Sequence, residues 1–449
     1  MLNSTKYIST IPFSGLFNWS VQYLNDSKIA FSKAYPMMRI GEFLKRNKTA
    51  VTIQDGVKYK RVTIKVRNGG VVPRDEVMGE NIGTKKQFLV SEGQFILSKI
   101  DARNGAMGII PAELNGAVVT QDFLPYDIDK TKVNPQYFVL VCTTKQFIDF
   151  CQSCSSGTTN RQRVDEAQFL NIKVPIPSLE EQNKLVEEYN NKILLADSLK
   201  EKARLEENDI QTFIISKLGI ELTTNMTSIK SNTPHFISFV NYKDIDRWDM
   251  WSKEHYISTI LKKSIYPIVK LEVFDLINRS WKKENEKFRY IEMGDIDPIF
   301  GVINDSVLFT KDAPSRATQR VITGDLIIGT TRPYLKRFAI VSPKYNQCIC
   351  SSAFQVIKAN DRYNLEFVYY YLQTQLAVKQ FEAYMTGALY PAINASDLRR
   401  IKIPLPPLSV QNLIVSYANE KRNIAKRYIL KSEQEYINAL KNFETKIFE

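Results

Sequence analysis

Hydrophobic positions along the chain follow two rhythms. In two long stretches they recur at steps of three, four or seven residues: Val186, Tyr189, Ile193, Ala196, Ala203, Ile210 and Ile214, then Val415, Ala418, Ala425, Ile429, Tyr436, Ala439 and Phe443. This is the narrow seam of a coiled coil, not the broad stripe of a globular helix. Lys200 and Glu207 interrupt the first seam. At 1.5 Å per residue each helix would be roughly 60 Å long. Elsewhere the apolar residues come in short runs bounded by turn residues, the pattern of strands.

Taken in order, residues 1–34 form a polar lead-in anchored by Phe13, Phe17 and Trp19. Met38–Leu44 opens the first globular stretch as a short helix or strand. Lys58–Val66, Gln94–Ile100, Ala106–Pro111 and Ala117–Thr120 read as strands, with turns at Gly69-Gly70 and Glu92-Gly93. Asn134–Cys151 has helical spacing and Asp165–Phe169 is a short helix. A strand, Ile172–Pro177, then leads into a long helix ending near Leu218. Later, Arg289–Ile291, Leu326–Ile328, Phe338–Val341 and Phe354–Ile357 read as strands and Leu365–Tyr384 as a helix.

These elements form a repeat. Ile172-Lys173-Val174-Pro175-Ile176-Pro177-Ser178-Leu179-Glu180-Glu181-Gln182-Asn183 returns as Ile401-Lys402-Ile403-Pro404-Leu405-Pro406-Pro407-Leu408-Ser409-Val410-Gln411-Asn412, and each opens a long helical run, the second continuing to Glu449. Pro177 and Pro407 suit a helix start, because proline excludes helix from the residue before it. The halves align at an offset of roughly 230 residues, the scale of a duplicated domain. Trp19 falls opposite Trp248, Tyr35-Pro36 opposite Tyr266-Pro267, Gly93–Leu97 opposite Gly324–Ile328, and Gly157 opposite Gly387. The expected fold is mixed α/β (α+β): two duplicated globular domains, each followed by a long helix. Alanines in the seams permit close approach, so the two helices are expected to pair as an antiparallel coiled coil, giving a pseudo-two-fold axis with a globular unit at each end. The alternative is that each helix packs on its own domain.

Composition changes this picture only in one respect. The chain has 449 residues, 44% hydrophobic and 24% charged, ordinary values for globular domains, but its net charge is +13. That favours a polyanionic partner, most simply nucleic acid. The basic residues are spread out rather than blocked, which argues against a disordered basic tail. No apolar run approaches the ~20 residues that span a membrane, and no signal peptide is visible, so the expected compartment is the cytoplasm with no membrane partner. The odd cysteine count of five points to reduced thiols. Cys151 and Cys154 have the spacing of half a zinc site, but no second ligand pair lies nearby and His235 and His255 are the only histidines. Buried thiols are the expectation for Cys348 and Cys350.

Catalytic chemistry is hard to assemble. There is no phosphate-binding loop or dinucleotide fingerprint. Asn134-Pro135-Gln136-Tyr137 resembles the Asn-Pro-Pro-Tyr tetrad of adenine methyltransferases, but its third residue is Gln, and its repeat is Asn364-Leu365-Glu366-Phe367. Two histidines leave little material for a nucleophile–histidine pair. No catalytic, cofactor-binding or metal-ligating residue is assigned. A duplicated domain on a rigid spacer instead suits reading two DNA half-sites, through polar loops that differ between the copies. The candidate readers are Lys99, Arg103, Thr158, Thr159, Asn160, Arg161 and Arg163 in the first copy. In the second they are Thr330, Thr331, Arg332, Tyr334, Lys336, Arg337, Tyr390 and Asn394. Each could instead be a solvated loop residue or a phosphate contact, which positions without specifying.

The doubled Pro-x-Pro-x-Leu-x-x-Gln-Asn element before a long helix resembles the specificity (S) subunits of type I restriction–modification systems. So does Gly329-Thr330-Thr331-Arg332-Pro333-Tyr334-Leu335-Lys336-Arg337, which looks like a recurrent stretch of their target-recognition domains. The resemblance covers essentially the whole chain. The first copy departs from it with Ser98-Lys99-Ile100-Asp101-Ala102-Arg103, which points to a different half-site. Val410 stands where the family usually has an acidic residue, which Glu181 keeps. The resemblance implies a first target-recognition domain with its lead-in at 1–171, a first spacer region at 172–230, a second recognition domain at 231–400 and a second spacer region at 401–449. It further implies a non-catalytic subunit that binds a split site in double-stranded DNA and recruits two methyltransferase subunits, then restriction–translocase subunits. S-adenosylmethionine, ATP and Mg²⁺ would all be bound by those partners. Two other readings stay open: a divergent nuclease or methyltransferase with its own active site, and a scaffold of another phage-defence complex.

Overall fold

A computed structural model describes residues 35–220 and 257–448, apart from 67, 146, 149–150, 152–154, 157–162, 284 and 388, with only the backbone at 155–156. Phe13, Phe17, Trp19, Trp248, Gly157, Cys154, His235 and His255 lie outside the described residues. The chain separates into two compact units, one of residues up to Asp197 together with Ser432 onward, the other Ser198–Lys431. Seven helices are named below: α1 (Pro135–Thr143), α2 (Glu166–Asn171), α3 (Leu179–Lys217), α4 (Leu365–Leu372), α5 (Gln375–Tyr384), α6 (Ala395–Arg399) and α7 (Leu408–Phe448).

In the first unit, Met37–Arg39 pairs antiparallel with Lys173–Pro175, so the strand entering the domain lies beside the strand leaving it for α3. A four-stranded antiparallel sheet runs Leu44–Arg46, Phe123–Ile128, Phe95–Ser98, Met107–Ile109. A five-stranded sheet runs Ala50–Thr52, Lys86–Leu89, Val118–Val119, Lys58–Ile64, Val71–Met78, with one parallel pairing, Arg61 opposite Val118. Phe95, Leu97, Tyr126, Tyr137, Phe138 and Phe169 form the main core, which also takes Leu185 and Val186 from the start of α3 and Phe443 and Ile447 from the end of α7.

The second unit repeats this topology, with four strands rather than five in its second sheet. Ile268–Lys270 pairs with Lys402–Pro404. One sheet runs Leu276–Ile277, Phe354–Ile357, Leu326–Gly329, Phe338–Ile340. The other runs Ser306–Phe309, Lys287–Ile291, Ile349–Ser351, Ala317–Arg320, again with one parallel pair, Tyr290 opposite Ile349. Its core takes Ile414, Val415 and Ala418 from the start of α7 and Ile210, Ile214 and Ile215 from the end of α3.

The long helices are antiparallel partners within each unit. In the first, Lys446 meets Glu188 at 2.5 Å, the Ser432 hydroxyl donates to the Ala196 carbonyl at 2.7 Å, and Tyr436 bonds Asp197. In the second, Phe213 stacks on Tyr417 at 3.8 Å, the Tyr417 hydroxyl donates to Asp209 at 2.7 Å, and Lys421 bridges Glu206 and Asp209. The predicted seam residues Val186, Ala196, Ala203, Ile210 and Ile214 are buried, as are Val415, Ala418, Ala425, Ala439 and Phe443. The alternative of each helix serving only its own domain is not what is seen, because each unit's core draws on both helices.

Two predicted helices are each interrupted once. The Asn134–Cys151 pattern gives α1, which ends where Thr144 turns to extended backbone and its hydroxyl donates to the Val141 carbonyl, and helix resumes at Lys145. The Leu365–Tyr384 pattern breaks at Gln373-Thr374 into α4 and α5, with Thr374 capping the second. A hydroxyl that returns to the preceding turn competes with helix continuation. Met38–Leu44 is in fact a strand, a 3-10 turn at Ile40–Glu42 and the start of another strand. Strands at Val71–Met78, Ser306–Phe309 and Ala317–Arg320 carry no sequence alternation that singles them out, because they lie on sheet edges.

The motif Gln-Asn pair has a physical role. The buried Gln182 accepts the Asn134 backbone N–H at 2.8 Å and donates to the carbonyls of Pro177 and Lys132. Asn134 caps α1 through its side-chain oxygen and donates its amide N–H to Asn183 at 2.7 Å. Gln411 likewise accepts the Asn364 N–H at 2.8 Å and donates to the Pro406 carbonyl, and Asn364 caps α4 and donates to Asn412 at 2.9 Å. Asn134-Pro135-Gln136-Tyr137 is therefore a helix cap with proline at the first helical position, and the asparagine cap, though not the proline, recurs in the second unit. Removing the buried glutamine strands a backbone donor and a carbonyl, at a cost of about 1–3 kcal/mol. Gln182→Leu is accordingly expected to lower the melting temperature by several degrees, whereas Lys184→Ala, on an exposed and loosely paired lysine, leaves it unchanged; equal melting curves for the two variants would rule the clamp out.

Candidate nucleic-acid interface

In the second unit, two loops predicted to read DNA are laced together by their backbones. After the strand Leu326–Gly329, the Thr330 N–H donates to the Ala353 carbonyl at 2.8 Å, and the Ile393 N–H donates to the Thr330 carbonyl at 2.9 Å. Thr331 bridges Ala392, which also bridges Thr386. The Arg332 N–H donates to the Pro391 carbonyl at 2.7 Å, its side chain donates to the Leu389 carbonyl at 3.1 Å, and its guanidinium lies 5.2 Å from the centre of the Tyr390 ring. Arg332 and Lys336 both have left-handed backbone, at φ 48° and 55°, flanking the turn Pro333–Leu335. Such conformations are uncommon outside glycine and cluster at functional sites. The Arg332 Nε is buried with no hydrogen-bond partner among the described residues. Tyr390 is 73% exposed and Leu389 81%. Thr331, Arg332, Tyr334 and Tyr390 thus share one partly exposed polar and aromatic surface. Guanidinium and hydroxyl groups there suit base edges or phosphate oxygens, and an exposed tyrosine face suits stacking.

The first unit uses the same backbone frame with different side chains. The Lys99 N–H donates to the Asp122 carbonyl at 2.8 Å, and the Val164 N–H donates to the Lys99 carbonyl at 2.9 Å. These bonds correspond one for one to those of Thr330. Arg103 sits in the 3-10 turn Ala102–Asn104, where the second unit has Pro333–Leu335. Arg163 belongs to a two-stranded ribbon with Ser155–Ser156 and meets the Asp122 carboxylate at 3.2 Å. Lys99, Arg103 and Arg163 therefore stand on adjoining segments. Thr158, Thr159, Asn160 and Arg161 fall between the ribbon strands and lie outside the described residues.

Four predicted readers are engaged elsewhere. Asn394 is the cap of α6, accepting from the Asp397 N–H and donating to its carboxylate, both at 2.8 Å. Its counterpart Asp165 caps α2 in the same way, through the Gln168 N–H. Arg337 turns inward to the carbonyls of Met293 and Ile296. The Thr330 hydroxyl is committed to the Ala353 carbonyl at 2.8 Å. Lys336 faces a cavity of about 330 Å³ shared with Glu207 and Arg422, where burial lowers its pKa against the pull of Glu207. Burial likewise raises the Glu207 carboxyl, in spite of Arg422 beside it. Sequence reasoning missed Asp122, which faces Arg163; no periodicity marks a loop carboxylate. Among the described residues no group of three or more His, Cys, Asp or Glu is placed to hold a metal ion. Cys142, Cys151, Cys348 and Cys350 are buried cysteines. No helix among the described residues is long and apolar enough to cross a membrane.

Comparison with known proteins adds the following. The model of the type I restriction modification DNA specificity domain matches residues 32–202 and again 268–420. A Methanocaldococcus jannaschii protein, named as the MjaX specificity subunit of a type I restriction enzyme, is 22% identical over 295 residues, 64% of this chain and 61% of that protein. The match thus spans about three fifths of that relative. Among solved structures, a chain from work on assembly and conformational transition of the type I R-M system aligns over 93% of this chain and 99% of its own, at 17% identity and TM-score 0.48. The HsdS subunit of Thermoanaerobacter tengcongensis aligns over 93% and 97%, at 15% identity and TM-score 0.40. The S subunit of M. genitalium aligns over the same shares, at 11% identity and TM-score 0.41.

The capping geometry separates framework from reader at Asn394. Loss of a capping side chain costs about 1 kcal/mol, while aspartate caps as well as asparagine. Asn394→Ala should lower the melting temperature, and Asn394→Asp should retain it. If both variants melt like the parent, Asn394 is not framework.

Proposed function

Since the chain belongs to the type I restriction–modification DNA specificity family, we propose that it reads a split, asymmetric site in double-stranded DNA and brings partner subunits to it. The observation that carries this reading is the repeated loop frame. In both units the same backbone bonds hold a polar loop at the same place, and the side chains on it differ. Equal frames with unequal side chains suit two unlike half-sites. Lys99, Arg103, Arg163 and the intervening Thr158, Thr159, Asn160 and Arg161 would serve the first half. Thr331, Arg332, Tyr334 and Tyr390 would serve the second, with Thr330, Lys336, Arg337 and Asn394 shaping the loop.

The net charge of +13 supplies the sequence-independent part of binding through phosphate contacts. The antiparallel helix pair would set the gap between half-sites and offer the surface on which two methyltransferase subunits, and then restriction–translocase subunits, assemble. On this reading the chain contributes no catalytic group. S-adenosylmethionine for methylation, and ATP with Mg²⁺ for cleavage, belong to the partners, and the complex works in the cytoplasm where the DNA lies.

The deciding experiment is co-expression with the partner methyltransferase in a host lacking modification, followed by sequencing of modified adenines. A split motif that requires this chain is expected, and exchanging residues 35–171 for those of another specificity subunit should change one half alone. Modification independent of this chain would refute the reading. Arg332→Ala should weaken binding to the cognate site by about 10- to 100-fold, in line with the 1–3 kcal/mol of a good base contact. Competition against unrelated DNA at fixed salt then separates the cases: an equal loss on both would make Arg332 a phosphate contact instead.

A further inference from the structure

Within the second unit, one side chain of the spacer ties the recognition domain to the helix pair. Arg422, on α7, is 4% exposed. A guanidinium has five N–H donors; here its two terminal nitrogens make four hydrogen bonds and Nε lies in an ion pair. Nε faces Glu207 of α3 at 2.6 Å. Nη1 donates to the Pro298 carbonyl at 3.1 Å and the Tyr369 hydroxyl at 2.8 Å. Nη2 donates to Glu207 at 2.8 Å and the Gln373 side-chain carbonyl at 2.7 Å. The guanidinium also lies over the Tyr370 and Tyr369 rings, at 5.0 and 5.7 Å. One residue thus joins α3, α4, α7 and the turn at Pro298.

That turn leads to the reading loop. Pro298 lies between the paired strands Ile296–Asp297 and Gly301–Val302. The carbonyls of Met293 and Ile296, at the foot of this ribbon, hold Arg337. Arg337 closes the stretch carrying Thr331, Arg332 and Tyr334. A continuous series of directional bonds therefore runs from the spacer helix to the loop. The first unit is built differently. At the offset that relates Gln182 to Gln411, Arg422 corresponds to Ile193, which is only half-buried. At the offset that relates Asn134 to Asn364, Tyr369 and Tyr370 correspond to Val139 and Leu140. Apolar packing is non-directional, whereas four hydrogen bonds and an ion pair on one buried group fix an orientation.

We infer that Arg422 is a positioning residue that sets the angle at which the second recognition domain sits on the helix pair, and hence which gap between half-sites is accepted. The inference rests on the specificity-subunit reading. Arg422→Met alone leaves Glu207 buried without its partner, a change that can unfold the unit. The informative variant is Arg422→Met with Glu207→Met, since an apolar replacement of a buried ion pair is commonly tolerated.

The test uses the full complex with its methyltransferase partner and a library of sites in which the gap departs from the cognate length by one base pair either way. The double variant is expected to melt like the parent and to modify both half-site sequences unchanged, while its preference for the cognate gap falls by about tenfold, the equivalent of one charge-assisted bond. Amide exchange at 331–337 should quicken in the isolated subunit. A gap preference as sharp as the parent's, in a variant that melts like the parent, overturns the inference. So does a change in the sequence of the second half-site. Failure of the parent complex to give any split motif would instead overturn the specificity reading itself.

Discussion

Everything in this chain hangs on two buried glutamines. A long helix leaving a domain needs a fixed angle of departure, and a single chain connection through proline does not provide one. Gln182 and Gln411 provide it by bonding the first backbone N–H of the neighbouring domain helix while holding the carbonyl just before their own. A buried primary amide with both ends satisfied is directional, and leaving either end unmade costs the full desolvation of that group. The proline-bounded strand before each helix adds the second restraint, pairing with the strand that enters the domain. Each domain is thereby closed at one place, and the spacer grows from the closure.

The duplication then separates what must stay from what can change. Loops proposed to read different half-sites have to vary, yet a loop whose shape depends on its side chains cannot vary freely. Here the frame is carried by main-chain bonds: Lys99 to Asp122 and Val164 in one unit, Thr330 to Ala353 and Ile393 in the other. Side chains on that frame can be exchanged with little effect on folding, since surface substitutions away from caps and cores usually stay within about 0.5 kcal/mol. The capping residues Asp165 and Asn394 differ in identity but not in action, because either accepts the same backbone donor.

The elements most visible in the sequence were those whose residues answer to a single rule. The helix seams followed from spacing alone, and so did the burial of Ala196, Ala203, Ala425 and Ala439. The central strands Phe95–Ser98 and Leu326–Gly329, buried and apolar along nearly their whole length, were also legible, whereas the central strand Phe123–Ile128 was not picked out. The edge strands Met107–Ile109 and Phe338–Ile340 were legible from their apolar runs, but Val71–Met78 and Ser306–Phe309 were not, since they owe their conformation to a partner strand rather than to a pattern. The helix breaks at Thr144 and Thr374 escaped notice because the apolar spacing continues through them. At the candidate interface, the structure brings several of the predicted loop residues together and turns others into framework. Arg337 and Asn394 carry the residue types of DNA readers, but what occupies them is a pair of carbonyls and a helix end, neither of which leaves a trace in the local sequence.

The same limit explains Glu207. As a charge in an apolar seam it read as an interruption, and in isolation it would be a costly one, because an unpaired buried carboxylate loses its hydration. With Arg422 opposite, it becomes half of a pair that a nonpolar seam could not imitate. Stability alone does not account for such a pair, since well-packed apolar residues commonly do as well or better. What the pair adds is direction: a guanidinium bonded to α3, α4 and the Pro298 turn at once admits one arrangement of them, where Ile193, Val139 and Leu140 in the first unit admit a range. A chain whose two halves share so much of their topology has thus placed this buried, multiply bonded arginine where orientation, rather than burial, is at stake.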